Sequence, residues 1–189
     1  MTDTGIATIF NGIRIIPVAT LDEPDQAVRI AQKLAANGMP AIEVTFRTAK
    51  ALECIRAIAS ALPKTIVGAG TVLTPQQMDD ARNAGARFLV SPGSTRELVS
   101  AARAGQQPWL PGVATVSEAM RMRNAGFDHL KFFPAGPSGG IAFLKAVAPV
   151  LQDVKFCPTG GVDQSNAESY LALPNVFAVG GSWVMPHDA

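Results

Sequence analysis

Residues 65–92, TIVGAGTVLTPQQMDDARNAGARFLVSP, contain one full repeat of the chain. The run 65–72 is short and rich in Val and Ile, as a strand is. Thr74-Pro75 then pairs an N-cap residue with proline at the first helical position, where no N–H partner is needed. A helical stretch follows until Asn83-Ala84-Gly85, where Gly85 supplies the stop, and the next apolar run opens at Phe88.

The same unit recurs in both directions. Apolar runs occupy residues 14–20, 41–46, 65–72, 88–92, 108–113, 129–134, 155–159 and 176–182. Between them lie Ala-rich helical stretches with short connections. One spans residues 24–37 and stops at Gly38; another starts at Ser94-Thr95 and ends at Gly105; a third starts at 115–117 and ends at Asn124-Ala125-Gly126. Eight strand–helix units without a linker predict an α/β chain folded as one (β/α)8 TIM barrel over residues 1–189. The alternative, an open doubly wound sheet, lacks its glycine fingerprint, because the first run leads into Thr20-Leu21-Asp22-Glu23-Pro24. Residues 4–12 precede the first strand and are expected to form an extra N-terminal helix over the barrel floor. After the eighth run only residues 184–189 remain, so the final C-terminal helix is expected to be lacking, through truncation of the chain or cover by a neighbouring subunit.

Composition narrows the function classes. The chain has 189 residues, 16 Lys+Arg, 15 Asp+Glu and a formal net charge of +1. That balance argues against a broad basic surface for nucleic acid or anionic membrane. No apolar run approaches a membrane span, and the N-terminus lacks a basic signal-peptide region. Cys54 and Cys157 alone make no disulfide framework, so a reducing, cytoplasmic setting is expected. His129 reads as structural and His187 as solvated, and two separated histidines do not suggest a metal site.

Two runs carry charge where a barrel interior should be apolar. In Ile42-Glu43-Val44-Thr45-Phe46-Arg47, Ile42, Val44 and Phe46 share the face that meets the helices, which turns Glu43, Thr45 and Arg47 inward. In His129-Leu130-Lys131-Phe132-Phe133-Pro134 the same alternation turns Lys131 and Phe133 inward. A polar edge, a structural ion pair or a snorkelling lysine would also account for these charges. Alternate strands share interior layers, however, so Glu43 and Lys131 are expected to approach across the barrel. An amine beside a carboxylate in a desolvated site is the pair that imine chemistry on a ketone requires.

The last two runs end in glycines, at Thr159-Gly160-Gly161 and Gly180-Gly181-Ser182. Barrels commonly hold phosphate at these two strand ends, with glycine letting backbone N–H groups come close. Gly68-Ala69-Gly70 places Thr71 at the rim, and 136–140 reads as a flexible loop above Lys131. Cys157 has no His or Cys companion and reads as packing.

Taken in order, Glu43-Val44-Thr45-Phe46-Arg47, Gly68-Ala69-Gly70-Thr71-Val72, Ser91-Pro92-Gly93, Pro111-Gly112-Val113, Lys131-Phe132-Phe133-Pro134-Ala135, Pro158-Thr159-Gly160-Gly161 and Gly180-Gly181-Ser182-Trp183 resemble the 2-keto-3-deoxy-6-phosphogluconate (KDPG) aldolase family, which includes 4-hydroxy-2-oxoglutarate aldolases. The resemblance runs from about residue 16 to residue 183. It implies a class I aldolase, usually a homotrimer, with no metal and no organic cofactor. By that resemblance Lys131 is the Schiff-base lysine and Glu43 the general acid/base. Arg47 and Thr71 hold the substrate carboxylate, Phe133 and Pro92 line the pyruvate pocket, and Thr159, Gly160, Gly161, Gly181 and Ser182 bind phosphate. The Thr45-Phe46-Arg47 pattern is similar to the phosphogluconate branch rather than the phosphogalactonate one. The expected partners are a phosphorylated keto acid and pyruvate, with no nucleic acid and no membrane. Rival readings are a 4-hydroxy-2-oxoglutarate aldolase, a phosphosugar isomerase or decarboxylase, and a non-catalytic sugar-phosphate sensor.

Overall fold

The computed structural model describes residues 5–186, so His187 lies outside the described residues. Strands β1 (Ile15–Ala19), β2 (Ala41–Thr45), β3 (Ile66–Gly70), β4 (Phe88–Val90), β5 (Trp109–Leu110), β6 (Gly112–Val113), β7 (His129–Phe132), β8 (Lys155–Pro158) and β9 (Val179–Gly181) alternate with helices. After a first turn of helix, α1 (Ile6–Ile9), these are α2 (Pro24–Ala36), α3 (Ala51–Ala61), α4 (Pro75–Asn83), α5 (Arg96–Gly105), α6 (Val116–Asn124), α7 (Gly140–Val147) and α8 (Ala167–Leu171).

Every strand pairing is parallel. One sheet runs β5-β4-β3-β2-β1-β9 and a second runs β6-β7-β8. β5 and β6 are the two halves of the predicted fifth strand. Pro111 between them has no N–H to give the ladder, so the run divides there. Single parallel bridges, Thr159↔Gly180 and Phe156↔Val176, link the β8 and β9 ends. The order is sequential and β1 lies beside β9, the curled parallel arrangement of a TIM-like α/β fold. The doubly wound alternative, whose strand order reverses at a switch point, does not fit it.

The helix signals act as read. Thr74, Thr95 and Thr115 each accept a hydrogen bond from the backbone three residues on, and Thr115 with Glu118 completes a capping box. One stop differs: α5 includes Gly105, and Gln106 takes the left-handed turn at φ 51°.

Alternation along the strands separates two apolar clusters. Ile42, Val44, Leu130, Phe132 and Phe156 belong to the cluster shared with the helices. There Phe132 stacks on Phe143 with ring centroids 4.6 Å apart. The inner cluster joins Ile16, Ala41, Phe88, Val90, Leu110, Cys157 and Ala178 to Ile6 and Phe10 of the N-terminal segment. Phe10 meets the edge of Phe88 at 4.8 Å. Glycine on neighbouring strands makes this interior fit. A Cβ on Gly68 would sit 2.3 Å from the Phe88 ring, a contact that close packing does not allow.

Candidate active site

Glu43 on β2 and Lys131 on β7 face each other inside the curl. Lys131 Nζ donates to Glu43 Oε1 at 3.4 Å, with the two residues 6% and 3% exposed. The apolar neighbours Ile42, Val44, Leu130 and Phe132 pack toward the helices, and this forces both charges inward. A buried ion pair is a weak source of net stability. Two buried charges held together inside the curled sheet therefore point to chemistry. Gly70 on β3 makes the space for one of them: a Cβ there would lie 2.1 Å from Glu43 Oε1.

A cleft of about 540 Å³ opens at the C-terminal rim above this pair, lined by Thr20, Arg47, Phe133, Thr159, Gly160, Gly161, Gly181 and Ser182 among others. Lys131 and Glu43 are not part of its lining; they lie deeper on the same strands. Phe133 connects the two regions, lining the cleft while its ring centroid stands 5.2 Å from Lys131 Nζ. Arg47 is exposed in the turn after β2. That turn is pinned by Phe46 N–H to Gly70 O at 2.8 Å and by the Thr48 hydroxyl to Leu21 O.

The predicted anion end is assembled at one place. Gly160 and Gly161 adopt φ of 85° and 80°, which side chains rarely tolerate. Their carbonyls are taken up by Gly136 N–H at 2.9 Å and Asn166 Nδ2 at 3.0 Å. Gly180 clears room for Thr159, whose Oγ1 would otherwise be 2.6 Å from a Cβ. The segment 136–140, expected as a flexible loop, is a turn whose start, Gly136, is tied to the β8 end. Ala135 and Gly136 N–H donate to Thr159 O and Gly160 O, and α7 begins at Gly140.

Two predicted residues sit apart from the cleft wall. Thr71 follows β3 in the left-handed region at φ 57°, unusual for a β-branched residue. Pro92 follows β4 with its carbonyl packed against Gly112, and neither residue lines the cleft. Cys157 is fully buried in the inner cluster, and desolvation pushes its thiol up to about 12, against a lowering influence from Lys131 and a raising one from Glu43. That thiol stays protonated and inert, in keeping with packing. His129 pairs with Asp128 at 2.7 Å and packs on Phe177 at the far end of β7. Among the described residues no group of three His, Cys, Asp or Glu side chains is gathered to hold a metal ion. No described helix is long and apolar enough to cross a membrane.

Sequence reasoning passed over the β1 wall of the cleft, Val18, Thr20 and Leu21, together with Gln26. Alternation along β1 carried the signal for Thr20, two residues beyond inward Val18.

Known proteins share this fold and much of this sequence. The KHG/KDPG aldolase of Escherichia coli K12 is 47% identical over 175 residues, 93% of this chain and 82% of that protein. The crystal structure of the Legionella pneumophila KDPG aldolase, with pyruvate captured at low pH as a covalent carbinolamine, is 46% identical. It superposes with a TM-score of 0.93, covering 100% of this chain and 90% of that one. The Zymomonas mobilis ZM4 enzyme, solved with 3-phosphoglycerate, matches at 41% identity and a TM-score of 0.93, over 100% and 89% of the two chains. The family model "Aldolase: KDPG and KHG aldolase" matches residues 6–189. With a buried lysine–carboxylate pair under a glycine-rimmed cleft, and with relatives this near over most of their length, the chain belongs to the KDPG and KHG aldolase family.

Proposed function

We propose that this chain cleaves 2-dehydro-3-deoxy-6-phosphogluconate to pyruvate and glyceraldehyde 3-phosphate, as a class I aldolase working through an imine on Lys131. The observation that carries this reading is the buried contact of 3.4 Å between Lys131 Nζ and Glu43 Oε1 beneath the cleft. The carbinolamine held by the Legionella relative and the 3-phosphoglycerate held by the Zymomonas relative support it.

Glu43 takes a proton from the Lys131 ammonium, and the free amine attacks the C2 ketone. Glu43 then returns protons as the carbinolamine loses water. The protonated imine draws electrons as the C3–C4 bond breaks, while Glu43 removes the C4 hydroxyl proton and the aldehyde leaves. The resulting enamine is protonated at C3, and hydrolysis of the imine frees pyruvate and Lys131. The imine is the electron sink, so the reading calls for no metal and no organic cofactor. Arg47 pairs with the substrate carboxylate through its planar fork, aided by Thr71, with Phe133 and Pro92 bounding the pyruvate portion. Thr159, Gly160, Gly161, Gly181 and Ser182 receive the phosphate, whose binding energy positions the reacting carbons.

The fold we infer around this site is one domain, a (β/α)8 barrel floored by α1. It acts as a homotrimer in the cytoplasm, on small molecules rather than nucleic acid or membrane. The E. coli relative's double name favours a second reaction, cleavage of 4-hydroxy-2-oxoglutarate to pyruvate and glyoxylate, which needs the imine half of the site alone.

Borohydride reduction in the presence of pyruvate tests the proposal. A covalent adduct on Lys131, absent from Lys131→Ala, is the expected result. An adduct that forms equally on the Lys131→Ala protein overturns the assignment.

A further inference from the structure

The staves around the cleft follow the order β2, β1, β9, β8. The carboxylate Glu43 stands on β2, and the glycine turns stand on β9 and β8. A substrate whose C4 hydroxyl meets Glu43 on β2 and whose phosphate meets the turns of β9 and β8 therefore passes in front of β1, the strand between them. The register pairs Val18 with Glu43 and Ala19 with Val44, which sets Thr20 beside Thr45. On its other side β1 pairs Pro17 with Gly181, next to Ser182. Thr20 is thus the hydroxyl-bearing residue between the two halves of the site. It is exposed and lines the cleft.

The hydrogen bonds fix what this hydroxyl offers. Thr45 Oγ1 is buried and donates its only proton to Ala19 O at 3.1 Å. The contact of 3.1 Å between Thr20 and Thr45 is then a donation from Thr20. The Thr20 oxygen keeps free acceptor capacity on the cleft side.

We propose that Thr20 is a specificity-determining residue whose oxygen accepts a hydrogen bond from the C5 hydroxyl of the phosphorylated substrate. That group is the hydroxyl beside the aldehyde carbon of glyceraldehyde 3-phosphate. C4 belongs to Glu43 in the mechanism, so C5 is the next carbon toward the phosphate end. The inference rests on the aldolase reading above and adds a residue to it.

The test runs the reaction toward synthesis, with pyruvate and either glyceraldehyde 3-phosphate or 3-phosphooxypropanal, which keeps aldehyde and phosphate but lacks the hydroxyl. Thr20→Val and Thr20→Ala should each reduce the hydroxy-to-deoxy ratio of kcat/KM by about five- to tenfold, and Thr20→Ser should retain it. A purely structural role would lower both substrates together, and that result overturns the proposal. The borohydride adduct with pyruvate, measured on the parent protein, separates the two readings. No adduct removes the imine and this inference with it, whereas an adduct together with an unchanged ratio in both variants removes the role of Thr20 alone.

Discussion

Gly70→Ala is the most informative single change, because one methyl group reaches the proposed acid/base without touching it chemically. The new Cβ would lie 2.1 Å from Glu43 Oε1, 2.6 Å from its Cγ and 2.7 Å from its Cδ. Ordinary carbon–carbon separations are about 3.5–4.0 Å, so the carboxylate must retreat by about 1 Å. Glu43 is 3% exposed and has no solvent side into which to move. A displacement of about 1 Å at a reacting group can cost about 10²-fold in rate, and overpacking of this kind destabilises by about 1–3 kcal/mol. Coupled measurement of pyruvate release should therefore show kcat down by about 10²-fold, with Tm lowered by roughly 2–12 °C for a domain of this size. Glu43→Gln, which removes the base outright, sets the scale of the loss at about 10²–10⁴-fold. Gly105→Ala is the control, since its Cβ meets only the mobile end of Arg82 at 3.3 Å, and it should leave kcat unchanged. A Gly70→Ala enzyme within threefold of the parent in kcat, with parental Tm, would refute the placement of Glu43 as the acid/base held against β3.

Two further outcomes follow from single residues. Thr71 at φ 57° carries backbone strain of order 1–3 kcal/mol; Thr71→Gly should therefore leave Tm unchanged or raised while increasing KM for pyruvate at least tenfold. A lower Tm with an unaltered KM would show a residue that is neither strained nor used. Burial lifts the Cys157 thiol from the usual 9.0 to about 12, so folding favours its protonated form. Its contribution to stability is complete below about pH 9 and is lost as pH rises from there toward 12. Native protein should leave Cys157 unreacted with a thiol reagent at pH 8, and Cys157→Ala should flatten the fall in stability between pH 9 and 11. Rapid labelling of Cys157 in the folded protein would contradict its burial.

Legibility tracked the range of the interaction involved. The helix starts at Thr74, Thr95 and Thr115 were readable because an N-cap bond spans three residues of contiguous chain. Inward Glu43 and Lys131 were readable because period two is local, and because Ile42, Val44, Leu130 and Phe132 leave the charges one direction. Their meeting at 3.4 Å needed one more premise, a sheet curled enough to set β2 opposite β7. The misses needed contacts between segments far apart in sequence. Residues 136–140 look mobile in isolation, since one proline and three glycines carry no sign of a partner. Gly136 N–H, at the start of this segment, reaches Gly160 O at the β8 end, and only the fold brings those together. Thr20 resembles any threonine after a strand until Thr45 is seen beside it and the cleft in front of it. The same logic separates the two halves of the site. The imine pair announces itself because buried charge is costly and therefore rare. A hydroxyl that chooses among substrates costs the fold nothing, and a sequence gives no reason to single it out. Selectivity in this scaffold is thus expected to reside at exposed rim positions such as Thr20 after β1, where substitution leaves the Lys131–Glu43 pair and the packed interior untouched, rather than at the β8 and β9 glycines, whose backbone and close contacts leave no room for a side chain.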